Sequence, residues 1–122
     1  MSQYEFSDVE NTTIAATGSR ARTWAVLAII SGGFSTLVGV VTIPRGGIIA
    51  LLNLVSGPVS LVMGFTILGV AAAFKSIVDT KGNDVTHMMA ALKKLNTAYT
   101  IQIVAMAVGF LAGAAGGAMG MR

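Results

Sequence analysis

Charged side chains divide the chain into three long apolar runs. No charge occurs in the 22 residues between Arg22 and Arg45, the 29 between Arg45 and Lys75, or the 27 between Lys94 and Arg122. Wound as α-helices these runs reach roughly 33, 43 and 40 Å, against a hydrocarbon core of about 30 Å, so each is long enough to cross a bilayer. Within them AVLAII, IIALL and IVAMAVGFLAGAA are apolar at consecutive positions, whereas a membrane strand alternates apolar and polar residues. The pattern predicts an all-α membrane protein with three transmembrane helices and two cytoplasmic amphipathic helices.

The expected organisation is a cytoplasmic N-terminal amphipathic segment over 1–22 and a first transmembrane helix over 23–43. A short external turn over 44–47 follows, built on Pro44-Arg45-Gly46-Gly47. A second transmembrane helix covers 48–74 and is expected to kink near Pro58, which removes one backbone donor beside Gly57. A cytoplasmic loop and amphipathic helix cover 75–98, and a third transmembrane helix with an external C-terminus covers 99–122.

The amphipathic segments have their own signals. Ser7-Asp8-Val9-Glu10 fits the capping-box pattern, so a short helix is expected from Asp8 toward Gly18, with Val9, Ile14 and Ala15 or Ala16 on its apolar side. Thr80-Lys81-Gly82-Asn83 is turn chemistry, and Asp84 is a good N-cap for a following helix. In that helix Val85, Met88, Met89, Leu92 and Leu95 recur at helical spacing opposite Thr86, Lys93 and Lys94. Met88, Met89, Leu92, Lys93 and Lys94 are therefore expected to contact the membrane surface or a partner, with the lysines at the headgroups.

Composition agrees with the pattern. Apolar residues make up 54% of the chain and charged residues 11%, with a mean hydropathy of +0.78; a soluble domain carries about a quarter charged residues. Disorder is excluded, and the absence of cysteine excludes disulfides and thiolate metal sites. Arg20, Arg22, Lys75, Lys81, Lys93 and Lys94 fall on the side of the N-terminus, and only Arg45 and Arg122 on the other. That asymmetry places the N-terminus in the cytoplasm and the C-terminus outside. The first apolar run follows about twenty polar residues that open with acids, so it reads as a retained anchor and not a signal peptide.

The stretch from Phe74 to Leu92, with Thr80, Gly82, Asn83, Asp84 and His87-Met88-Met89-Ala90-Ala91-Leu92, together with the opening phrase FSDVEN, resembles a family of small bacterial inner-membrane proteins of unknown function. The resemblance implies a bacterial inner-membrane location. It implies no activity, substrate or catalytic residue.

Small residues recur every fourth position in each span: Ser31, Ser35 and Gly39; Ser56, Ser60 and Gly64; and Ala105, Gly109, Gly113 and Gly117, with Ala112, Gly116 and Gly120 as a second row. In lipid, helices associate through close backbone approach, which such rows permit. The first two spans can pair within one protomer, and the doubled row on the third points to contact between protomers or with a larger partner. Asn53 and Gln102 are the polar residues most costly to leave facing lipid, so each is expected to make an interhelical contact. No charge lies deep in a span, which argues against a proton relay, a voltage sensor or an ion-coupled carrier.

Candidate chemistry is sparse. His87 is the only histidine, the five acids include no helical pair at metal-ligand spacing, and no phosphate-loop pattern occurs. The expectation is no enzyme, no catalytic, cofactor or metal site, no nucleic-acid binding and no small-molecule substrate. The partners expected are membrane lipid and either further copies of the chain or other integral subunits. The function expected is a small structural or accessory membrane subunit. An oligomeric pore lined by Asn53, Ser56, Ser60 and Thr66 is the alternative, and a holin-like lysis protein stands further behind.

Overall fold

The computed structural model of the protein describes residues 4–120; Met121 and Arg122 lie outside that range. Three helices follow in order: α1 over Asp8–Thr42, α2 over Ile48–Asp79 and α3 over Asp84–Gly120. All three are long and apolar enough to cross a membrane. Among the described residues the chain is all-helical.

Neither amphipathic segment forms a helix of its own. Residues 8–22 are the opening turns of the 35-residue α1, and residues 84–98 open the 37-residue α3. The reason is local: no proline interrupts residues 8–42, and neither glycine nor proline interrupts 84–108, so nothing stops a helix once it has nucleated. At about 1.5 Å per residue α1 and α3 are roughly 52 and 55 Å long, well beyond the hydrocarbon thickness. Helix α2 likewise continues through Pro58.

Helices α1 and α2 form an antiparallel hairpin. A 3₁₀ turn over Ile43–Arg45 leads into Gly46 and Gly47, whose φ values of 66° and 100° suit glycine. The seam of the hairpin repeats every seventh residue: Gly18, Ala25, Gly32 and Gly39 are buried on α1, and Ala50, Gly57, Gly64 and Ala71 on α2. The two rows run past each other in reverse order. A Cβ on Gly32 would sit 2.8 Å from the Gly57 carbonyl oxygen, and one on Gly64 would sit 2.9 Å from that of Ala25. A Cβ on Gly39 would meet the Leu54 nitrogen at 2.9 Å. Backbone rests on backbone along most of the hairpin.

The seam follows this repeat, and the expected fourth-residue rows meet it only in part. Each step of four residues turns about 40° around a helix, while a step of seven turns back only about 20°, so a seventh-residue row stays on a long seam and a fourth-residue row winds off it. Gly39 and Gly64 lie on both kinds of row and are buried. Ser60 touches the space beside Gly32 and Ser35 is half-buried, whereas Ser31 and Ser56 are exposed.

A second kind of packing operates at the charged end. Val70, Ala73, Phe74 and Ile77 of α2 bury against Ala91 of α3, joined by Met88 and Leu95 of α3, Ile14 of α1 and Phe6. Large side chains do here what glycine does along the hairpin.

Candidate functional site

Two features stand out: the grip on the N-terminal segment at the charged end, and the free length of α3. At the first, Ser7 and Glu10 close the capping box at the start of α1. The Glu10 amide donates to Ser7 Oγ at 3.4 Å, and the Ser7 amide donates to Glu10 Oε2 at 2.7 Å. The bond from the Ser7 amide, with a further one from the Ser7 hydroxyl, holds the Glu10 carboxyl below its usual range.

One residue earlier, both backbone groups of Phe6 are taken by side chains. Its amide donates to Asp84 Oδ2 at 2.7 Å, and its carbonyl accepts from Asn11 Nδ2 at 3.2 Å. Phe6 itself packs on the core cluster and stacks edge-on with Tyr4 at 5.4 Å. Asp84 is only 3% exposed. Helix α3 begins at Asp84, so this residue lies within the helix; its Oδ2 accepts from Phe6 while the buried Oδ1 has no partner among the described residues, and the expected N-cap role is corrected on that point.

The remaining surface candidates divide. Met88 turns inward onto the core cluster, while Met89 and Leu92 are about half exposed and Lys93 is exposed. Lys94 reaches back to α2, its Nζ donating to the Gly69 carbonyl at 3.4 Å, and it passes over Gly69 where a side chain would crowd it. Asn53 Nδ2 donates to the Ile49 carbonyl of its own helix at 3.0 Å, and Gln102 is exposed. Within one chain neither amide joins two helices.

Helix α3 packs on α2 only along its first half. Asp84, Ala91 and Ala98 are buried with Met88 and Leu95 half-buried between them, the alternating spacing of four and three that marks a helix-pair seam. Beyond Ala98 the contact thins out. Ile103, Met106, Phe110 and Leu111 are more than 60% exposed, and a Cβ added at Gly109, Gly113, Gly116 or Gly117 would meet nothing within 4 Å. Gly109, Gly113, Gly116 and Gly117 of the rows expected on this helix are therefore open in the single chain.

Sequence reasoning did not anticipate the Phe6 clamp or the seventh-residue seam. The seam was open to discovery, because Gly18-Ala25-Gly32-Gly39 and Ala50-Gly57-Gly64-Ala71 are periodic in the sequence. Among the described residues no three acidic or histidine side chains group as metal ligands. Comparison with family models, with curated proteins and with solved structures finds no match for this chain.

Proposed function

We propose that the protein is a small structural or accessory subunit of a membrane, assembling through the second half of α3 either with its own copies or within a larger bacterial complex. One contrast carries the reading. Glycines 18, 32, 39, 57 and 64 are each filled by a neighbouring helix, while Gly109, Gly113, Gly116 and Gly117 of the same chain face open space. Glycine in a helix interior costs about 1 kcal/mol relative to alanine in water, and close packing is what repays it in the hairpin.

The charge asymmetry supports a cytoplasmic N-terminus, and the resemblance carried by Phe74–Leu92 and FSDVEN supports a bacterial inner membrane. In this reading the hairpin is a rigid anchor, the clamped end sets the angle at which α3 leaves it, and α3 presents its small-residue rows to the partner.

The test is the mass of the complex extracted in mild detergent or native nanodiscs, with every co-purifying chain identified. A defined multiple of the chain, or a fixed ratio to other subunits, is expected. Gly113→Leu and Gly117→Leu should each disperse that complex while leaving insertion intact. A wild-type chain that extracts alone as a monomer overturns the reading.

A further inference from the structure

Beside the hairpin seam, at the charged end, the two helices part into a groove of about 470 Å³. Its floor is made of small residues, Ala15 and Gly18 on α1 with Ala71 and Ala72 on α2, and Leu68 lies along it. Arg22 and Lys75 stand on its walls. These two are the charges that bound the membrane-spanning runs, Arg22 before that of α1 and Lys75 after that of α2. With the apolar runs in a bilayer, the groove opens at the depth of the lipid headgroups.

The groove is not the place where α3 docks. Val70, Ala73 and Ile77 turn toward α3, and residues 72, 75 and 79 follow on the opposite side of α2 at about 100° per residue. Ala15, Ala72 and Lys75 are exposed. The one acid on the rim, Asp79, lies 4.0 Å from the Lys75 ammonium in an i,i+4 pair that leaves the lysine side chain 75% exposed. So loose a pair at the surface does not tie the ammonium down. Two cations against one carboxylate leave the groove basic.

We propose that this groove binds an anionic phospholipid, its phosphate between Arg22 and Lys75 and the upper part of one acyl chain along Leu68 and the small-residue floor. Guanidinium and ammonium suit a phosphate in different ways, the first through paired donors and the second as a point charge. The apolar floor suits the chain attached to it. The inference goes beyond the assembly reading and does not depend on α3.

The experiment uses the full chain in mild detergent and counts lipids retained in native mass spectrometry. Phosphatidylglycerol and phosphatidylcholine with the same acyl chains are offered in equal amounts. Wild type should retain phosphatidylglycerol about 25-fold over phosphatidylcholine, since each of the two cations near a membrane surface contributes about a fivefold preference. The double variant R22Q/K75Q should bring the ratio near one. K81Q removes a cation from the same end but outside the groove, and should leave the ratio unchanged.

Ala72→Phe fills the groove without altering charge and should also abolish retention, which decides the matter if the double variant folds poorly. Equal retention of both lipids by wild type overturns the proposal, as does an equal fall in K81Q, which would mark a general surface field. Displacement of the lipid by inorganic phosphate alone would assign the cations to a soluble phosphate and overturn it as well.

Discussion

The amide of Phe6 donates to Asp84 Oδ2 at 2.7 Å across 78 residues of sequence, and this bond ties the N-terminal segment to the start of α3. Asp84→Leu is expected to cost about 1–3 kcal/mol, the usual penalty for leaving a buried donor unpaired. Asp84→Asn keeps a carbonyl acceptor and should lose less. Hydrogen exchange at the Phe6 amide reads the difference directly, with fast exchange in the leucine variant and intermediate exchange in the asparagine variant. Unchanged protection in Asp84→Leu would show that the core cluster alone holds Phe6.

Neighbouring glycines on α1 offer an internal control on the hairpin. A Cβ at Gly32 would fall 2.8–2.9 Å from atoms of Gly57, Ser60 and Leu61, two of them backbone. A Cβ at Gly33 would meet nothing within 4 Å. Gly32→Ala must push the helices apart and is expected to destabilise by about 1–3 kcal/mol, as overpacking does elsewhere. Gly33→Ala should be neutral or slightly stabilising through helix propensity. Thermal unfolding of the two variants in the same detergent gives the comparison, and equal midpoints would remove Gly32 from the seam.

The helical character of the apolar runs and the capping box were legible because each depends on residues close in sequence. Ser7 and Glu10 are three apart, and the bond pattern expected between them is the one found. The charge-free runs between Arg22, Arg45 and Lys75 likewise fall within α1 and α2. The clamp was not legible, because Phe6 enters it through its backbone, and a backbone amide carries no mark in the sequence of the distant carboxylate it will meet. Asp84 had a sufficient local explanation as an N-cap, and that explanation hid the long-range one. The choice between fourth- and seventh-residue rows also needed the partner, since only a neighbour running the full length of the helix selects the repeat with the smaller drift.

The lowered carboxyl of Glu10 fixes the direction of a pH effect. In the folded cap its pKa lies below the ordinary value of 4.5, so the unfolded end takes up a proton first as pH falls. The contribution of the cap is complete above about 4.5 and is lost as pH drops through the folded value. Amide exchange in the first turn of α1 should therefore be flat from neutral pH down to that range, after correction for intrinsic rates, and rise below it. Glu10→Gln should remove the pH dependence while retaining part of the cap. A wild-type transition at higher pH would assign it to another group.

The chain contains no cysteine, so a single introduced thiol can form a disulfide within the protein only between two copies. Gly113 has nothing within 4 Å of the position its Cβ would occupy, and the residue is exposed. If α3 meets α3 of another copy through the row of Gly109, Gly113 and Gly117, Gly113→Cys in native membranes should cross-link to a dimer on mild oxidation. Leu111→Cys lies about 160° away around the helix and should cross-link much less, although it is equally free in the single chain. Disulfide formation needs Cα atoms within about 7 Å, which only the close approach allowed by small residues provides. Strong cross-linking at 113 alone would assign the rows to self-association. Its absence at both positions, in a complex that still extracts at fixed ratio with other chains, would assign them to a different subunit.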